Sequence, residues 1–380
     1  MNKVIYISFV RLTDKISRDW CIDYLVAKDV TVEYWDIISL VREEYDEINS
    51  NTPDYLHIFK EFSEIEARLR LPQNRDAFYV MLVTYEGRFS RIFRLLSKYN
   101  CRMLYIAWGA MPSPQMSLFR KILARLTDPL SLARIILDRI KAYTLRRLML
   151  VKPFDMVFAA GQVTMARDQN AKKVIPINWC DYDQYVKVRS KGDRLVKYRY
   201  AVFLDINLPY QSDLKICGLP AVNPGNYYQS LNNYFGLLEL KYGIKVVIAA
   251  HPKANYDAGK FEGREIYRLH TPCLVRDAEF VITHTSSALS YAVLNMKPVI
   301  FIYTNDILFL YKNTMMKDLY CFADYLNAAI YNIDKINQGK HVFIETVNKK
   351  CYENYKYDFL TSHDSEFSST QEIFWRSITK

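Results

Sequence analysis

Short apolar runs alternate with segments of helical period from the first residues onward. Lys3–Val10 and Val30–Trp35 read as strands, with a helix over Arg18–Lys28 between them and another over Ile37–Tyr45. Phe78–Thr84 and Met103–Ala107 are two further strands, separated by a helical Arg88–Tyr99, and Met156–Ala160 and Lys173–Ile177 complete a first half. From Val186 to Tyr200 the apolar clusters thin out around Lys191-Gly192, as expected of a link. The alternation then restarts with a strand at Ala201–Asp205, a helix at Gly225–Lys241 and a strongly apolar strand at Lys245–Ala250. A short strand at Phe280–Thr283, a helix at Ser287–Leu294 and a strand at Val299–Tyr303 follow. Strands that alternate with helices imply parallel sheets covered on both faces, hence an α/β class with two Rossmann-like domains. The expected division is 1–190, 200–345, and a helical segment 346–380 that packs back on the first domain.

Composition narrows this little. A chain of 380 residues exceeds what one core usually serves. Half its residues are apolar and a quarter charged, which excludes disordered and fibrous classes. The seven cysteines are widely spread without a CxxC pair, so free thiols are expected and a zinc site is not. The amino terminus reads as a strand rather than a signal peptide. No segment nears the roughly 20 apolar residues that span a bilayer, and a cytoplasmic location is expected.

The net charge of +10 has a focus. Within the stretch 117–152 stand Arg120, Lys121, Arg125, Arg134, Arg139, Lys141, Arg146, Arg147 and Lys152, opposed by Asp128 and Asp138. Ile122, Leu126, Leu132, Ile135, Ile136, Leu145 and Leu148 recur among them at helical spacing. Such a basic amphipathic insertion either packs one face on its own domain or lies on an anionic inner-membrane surface. No nucleic-acid motif accompanies the charge, so nucleic acid is not an expected partner.

The segment KVVIAAHPKANY runs a β-branched strand into His251-Pro252 and Lys253. Ligands of open α/β sheets bind at the carboxyl ends of strands, so a polar residue there points toward ligand. Pro252 stiffens the turn, and a histidine so placed can donate to a phosphate oxygen. In EFVITHTSSALSYAVL a second strand ends at Thr283, after which His284, Thr285, Ser286 and Ser287 open a helix. Hydroxyls with free backbone N–H groups suit an anion, although a serine there can equally be an N-cap. Between the two lies GREIYRLHTP, where Glu265, His270 and Thr271 are candidates for ribose and base contacts.

His-Pro after an apolar strand, with a Ser-Ser pair opening a helix about 35 residues later, resembles bacterial surface-polysaccharide glycosyltransferases of the GT-B fold. Bacterial sialyltransferases, Kdo transferases and the glycerophosphotransferases of teichoic acid synthesis share the arrangement. The resemblance runs from Val202 to Tyr303. It implies two Rossmann-like domains facing a central cleft, with His251, Pro252, Lys253, Thr285, Ser286 and Ser287 on the donor phosphate, and Glu265, His270, Thr271 and His284 near the nucleotide. It implies a nucleotide-sugar donor, CMP-linked acidic or UDP- or dTDP-linked, and a saccharide acceptor that is lipid-linked. The product would be an O-antigen or capsule. The acidic pair followed by glycine that supplies the base in many sialyltransferases is absent; Glu86-Gly87 is a fragment of it.

An inverting transfer needs a base to deprotonate the acceptor hydroxyl. Asp14 and Glu86 satisfy the positional rule for such a base in the first half. Asp205 ends the first strand of the second half and can orient donor or acceptor, as can Asp213 after it. Asp181-Tyr182-Asp183 has metal-motif spacing but stands away from the phosphate-facing residues, so no metal or other cofactor is expected. The rival readings are a CDP-linked glycerophosphate or polyol-phosphate transferase and a non-catalytic nucleotide-sugar-binding protein of the same fold.

Overall fold

The structure, a computed structural model, describes residues 3–40, 53–113, 129–167, 169–211, 214, 219–254, 256, 259–336 and 343–379. Its strands are β1 (Val4–Ser8), β2 (Val32–Asp36), β3 (Leu56–Ile58), β4 (Phe78–Met81), β5 (Arg102–Ala107), β6 (Met156–Ala160), β7 (Val174–Ile177), β8 (Tyr200–Leu204), β9 (Lys245–Ala250), β10 (Ile266–Arg268), β11 (Val281–Thr283), β12 (Val299–Tyr303) and β13 (Ala329–Asn332). Among the helices are α1 (Asp14–Asp19), α2 (Ile22–Val26), α3 (Phe62–Leu69), α4 (Ser90–Lys98), α5 (Pro129–Arg147), α6 (Gln162–Met165) and α7 (Cys180–Arg189). They continue as α8 (Pro224–Tyr242), α9 (Thr271–Asp277), α10 (Leu289–Leu294), α11 (Asn305–Leu310), α12 (Met315–Leu326), α13 (Lys349–Tyr355) and α14 (Thr370–Thr379).

The chain divides into two compact units. The first comprises Met1–Gly109, Met116–Asn178 and Thr361–Lys380, the second Ala110–Gln115 and Trp179–Leu360. The first holds a seven-stranded sheet in the order β3-β2-β1-β4-β5-β6-β7, the second a six-stranded sheet in the order β10-β9-β8-β11-β12-β13. Every strand pair is parallel. Helices cover both faces of such sheets, which is why β1 and β8 are buried at all five positions instead of alternating. Ile5, Trp35, Tyr79 and Phe93 centre the first core. Phe203, Phe235, Ile248 and Ile300 centre the second.

Several local readings are revised. The helix expected over Arg18–Lys28 is two short ones, α1 and α2, broken where Cys21 takes a left-handed φ of 63°. Of Ile37–Tyr45, Ile38–Leu40 forms a single 3-10 turn, and 41–45 lie outside the described residues. The stretch read as a link begins inside α7. Arg276 then straps it to the second unit, its guanidinium donating to the carbonyls of Val188 (2.9 Å) and Asp193 (2.8 Å). At Thr361 the chain returns to the first unit, where Thr361 donates to Asn178 (2.6 Å), Asn178 to the Ser368 carbonyl (2.8 Å), and Phe374 of α14 packs on Phe158.

Candidate functional site

In each sheet the winding direction reverses once. The reversal falls between β1 and β4 in the first and between β8 and β11 in the second. Loops leaving adjacent strand ends diverge at such a point and open a crevice at the carboxyl edge, where ligands of doubly wound sheets bind.

In the second unit β8 and β11 end at this point, and β9 flanks β8 on the other side. His251-Pro252 leaves β9, and Thr285–Ser287 leaves β11. The two motifs are therefore not on adjacent strands. They stand two strands apart, roughly 10 Å at the usual strand spacing, and Asp205 at the end of β8 lies between them. The His251 ring is half-buried, and its Nδ1 accepts the Lys253 backbone N–H at 3.3 Å. That acceptor role puts the proton of a neutral ring on Nε2. Pro252 and Lys253 are exposed.

Asp205 is 4% exposed, and Tyr256 donates its hydroxyl to the Asp205 carboxylate. The backbone amide of His251 in turn supports the Tyr256 oxygen. Tyr256 thus clasps the His251 loop to the end of β8, with its ring edge-on to Phe261. Burial pushes the Asp205 carboxyl up to about 6, against the Tyr256 hydroxyl and the Asn207 and Ile206 amides, which lower it. Enclosed in this way, Asp205 is a support for the loop and is out of reach of an acceptor hydroxyl. Tyr256 went unnoticed in the sequence because it stands four residues beyond Pro252 in an otherwise irregular loop.

His284 also departs from expectation. It is fully buried, with Nδ1 donating to the Ile302 carbonyl (2.6 Å) and Nε2 accepting the Tyr227 hydroxyl (2.9 Å). Desolvation lowers its pKa to about 4, so the ring is neutral. It braces the end of β11 from behind and does not face a nucleotide. Helix α10 starts at Leu289, two residues later than expected, because the Ser286 hydroxyl first accepts the Ala288 N–H (3.3 Å) in a turn. Ser287 is exposed, and Thr285 and Ser286 are half-buried.

Glu265 precedes β10 and is bound by the hydroxyls of Tyr198 (2.6 Å) and Tyr267, which lower its pKa. In the parallel register Ile266 pairs with Ile248, so Glu265 lies back toward the amino edge, away from the carboxyl ends. It is a strut there and not a ribose contact. His270 and Thr271, by contrast, leave the carboxyl end of β10 and open α9. Asp181 accepts from Ser290 and from Tyr291 (3.0 Å), tying α7 to α10. Asp213 lies outside the described residues.

In the first unit Asp14 and Glu86 follow β1 and β4, the two strands at the reversal. Asp14 is exposed in the first turn of α1, and the cap itself is Thr13, whose side chain accepts the Ile16 N–H (3.2 Å). Glu86 is part-exposed and accepts from Thr84 (3.0 Å) and Arg88 (2.6 Å). Gly87 is a glycine because of α5 and not because of a ligand. Asp138 accepts the Gly87 N–H at 2.8 Å, and a Cβ there would meet the Asp138 carbonyl oxygen at 2.5 Å. Gly87→Ala is expected to cost about 1–3 kcal/mol through this overlap. A lower Tm and faster proteolysis at 129–147 would report it, and an unchanged Tm would refute the close approach.

No family model matches the chain, and no curated protein matches its sequence. Solved structures do. A variant of the wall teichoic acid polymerase TagF is similar over all of this chain and 89% of its own, at 12% identity and a TM-score of 0.52. The fold is GT-B. Two further similar structures are the glycosyltransferase SnogD from Streptomyces nogalater (10% identity, 100% and 99% covered, TM-score 0.49) and the UDP-GlcNAc 2-epimerase of Methanocaldococcus jannaschii with UDP-GlcNAc and UDP (12%, 100% and 99%, 0.45).

Proposed function

We propose that the chain is a metal-independent, inverting glycosyltransferase that holds a nucleotide-sugar donor on its second unit. One observation carries the reading: His251-Pro252 and Thr285–Ser287 flank the end of β8, beside the reversal of the second sheet. In this reading the His251 ring N–H and the hydroxyls of Thr285, Ser286 and Ser287 donate to the phosphate. Preorganised donors of this kind stabilise the charge that develops on a leaving phosphate. His270 and Thr271 are proposed for the nucleotide, and Asp14 or Glu86 as the general base.

The finer reading is a transferase of the sialyl- or Kdo-transfer type that builds an O-antigen or capsule. Its acceptor is a lipid-linked saccharide at the inner face of an anionic membrane. The proposed attachment is peripheral; among the described residues no helix is long and apolar enough to cross a bilayer. A second reading uses the same groups. A CDP-linked polyol-phosphate donor would offer a diphosphate to these groups where a CMP-linked sugar offers a single phosphate, and TagF is a wall teichoic acid polymerase.

Calorimetric titration with CMP, UDP, dTDP and GDP tests the donor. One of the four is expected to bind, and binding of none removes the reading. Mass spectrometry of the product then separates a glycoside from a phosphodiester.

A further inference from the structure

Helix α5 uses one face inside the first unit. Asp138 meets Gly87, the Ala142 carbonyl accepts from Tyr85 (3.0 Å), Leu145 joins the core, and Arg146 stacks over the Tyr85 ring at 4.2 Å. These positions follow a spacing of i, i+4, i+7, i+8. Through Tyr143 the opposite face is apolar and exposed: Ile136, Leu137, Ile140 and Tyr143 are 45–70% exposed. Arg134, Lys141 and Arg139 lie along its two borders by helical phase. A buried helix needs no second apolar face, and a solvated one does not carry it.

The chain that follows the helix is apolar and exposed as well. Leu148, Met149 and Leu150 stand 62%, 88% and 45% exposed in succession. Met149 holds a left-handed φ of 56°, a position that glycine usually occupies. An apolar side chain is thus kept outward in a conformation that disfavours it. Met149 and Leu150 border a crevice of about 510 Å³ whose other wall is α4 with Arg91, Arg94 and Lys98. Arg91 lies over the Phe62 ring (4.2 Å) and Lys98 pairs with Glu66 (2.7 Å). Arg94 is exposed, and no ion pair of it occurs among the described residues.

We infer that this face is a membrane anchor with a headgroup slot. The outward face of α5 and Leu148–Leu150 enter the interface of an anionic bilayer, and the α4 cations take a lipid phosphate. Apolar insertion beside fixed cations suits an anionic phospholipid surface, and guanidinium matches phosphate geometry. The inference deepens the proposed attachment: it moves the decisive cations from α5 to α4 and adds an apolar wedge.

Vesicle sedimentation tests it on the full chain. Wild type is expected to sediment with equimolar phosphatidylcholine–phosphatidylglycerol vesicles, not with phosphatidylcholine alone. Arg94→Glu should lower partitioning about 25-fold, from two charge units at roughly fivefold each. Met149→Gly should lower it about tenfold from the lost apolar burial, while raising Tm, because glycine suits the left-handed position. Opposite signs for binding and stability separate anchoring from a folding defect. Vesicle binding by both variants equal to that of the wild type overturns the slot and wedge. Absence of vesicle binding by wild type overturns the attachment. Nucleotide titration is unaffected in each case, so failure here is distinguishable from failure of the donor reading.

Discussion

Replacing His251 with alanine is expected to weaken binding of the donor nucleotide by roughly 10- to 100-fold, with Tm unchanged. The magnitude is that of one hydrogen bond to a charged group, about 1.5–3 kcal/mol. The ring is half-buried on a loop, so its loss opens no core cavity. Its Nδ1 accepts the Lys253 amide, which orients the ring and puts the proton of the neutral form on Nε2. Asparagine at 251 keeps an N–H with shorter reach and should recover only part of the affinity. Calorimetry with whichever nucleotide the wild type binds makes the measurement. Alanine binding as tightly as histidine would show that the phosphate lies elsewhere.

The sheets were legible in the sequence wherever strands are buried on both faces. Runs such as VVIAA and VIFI are apolar throughout and bounded by turns, so β9 and β12 were located closely. Strands β3, β10 and β13 escaped notice because they are short and half-exposed edges or near-edges, with no continuous apolar run. The site divides along the same line. His251 and Ser286 were visible because position after a strand is a local property. What their neighbours do depends on contacts far along the chain. Asp205 and Tyr256 are 51 residues apart, and His284 and Tyr227 are 57 apart. Nothing local marks His284 as a core residue, since it stands in the same polar run as Ser286. Glu265 was misplaced because the parallel register, and not the sequence, decides which end of β10 faces the carboxyl edge.

The clasp between Asp205 and Tyr256 has a pH signature. Burial raises the Asp205 carboxyl from 3.8 to about 6 in the folded chain. Between those values the unfolded chain has released the proton and the folded chain has kept it. The folded state then binds more protons, so stability falls as pH rises through this window and levels off above about 6. A shift of this size corresponds to about 3 kcal/mol. Asp205→Asn cannot ionise, and its amide oxygen still accepts the Tyr256 hydroxyl. The variant should therefore lose that part of the decline in unfolding free energy between pH 4 and pH 7, measured by urea denaturation at both. An equal decline in variant and wild type would mean that Asp205 titrates normally. Tyr256→Phe removes the same bond from the other side, leaving the carboxylate less compensated and the His251 loop untied. Its donor affinity should fall although the substitution touches no residue of the phosphate motif. A clasp predicts that paired outcome, whereas a catalytic Asp205 would lose turnover and keep donor affinity.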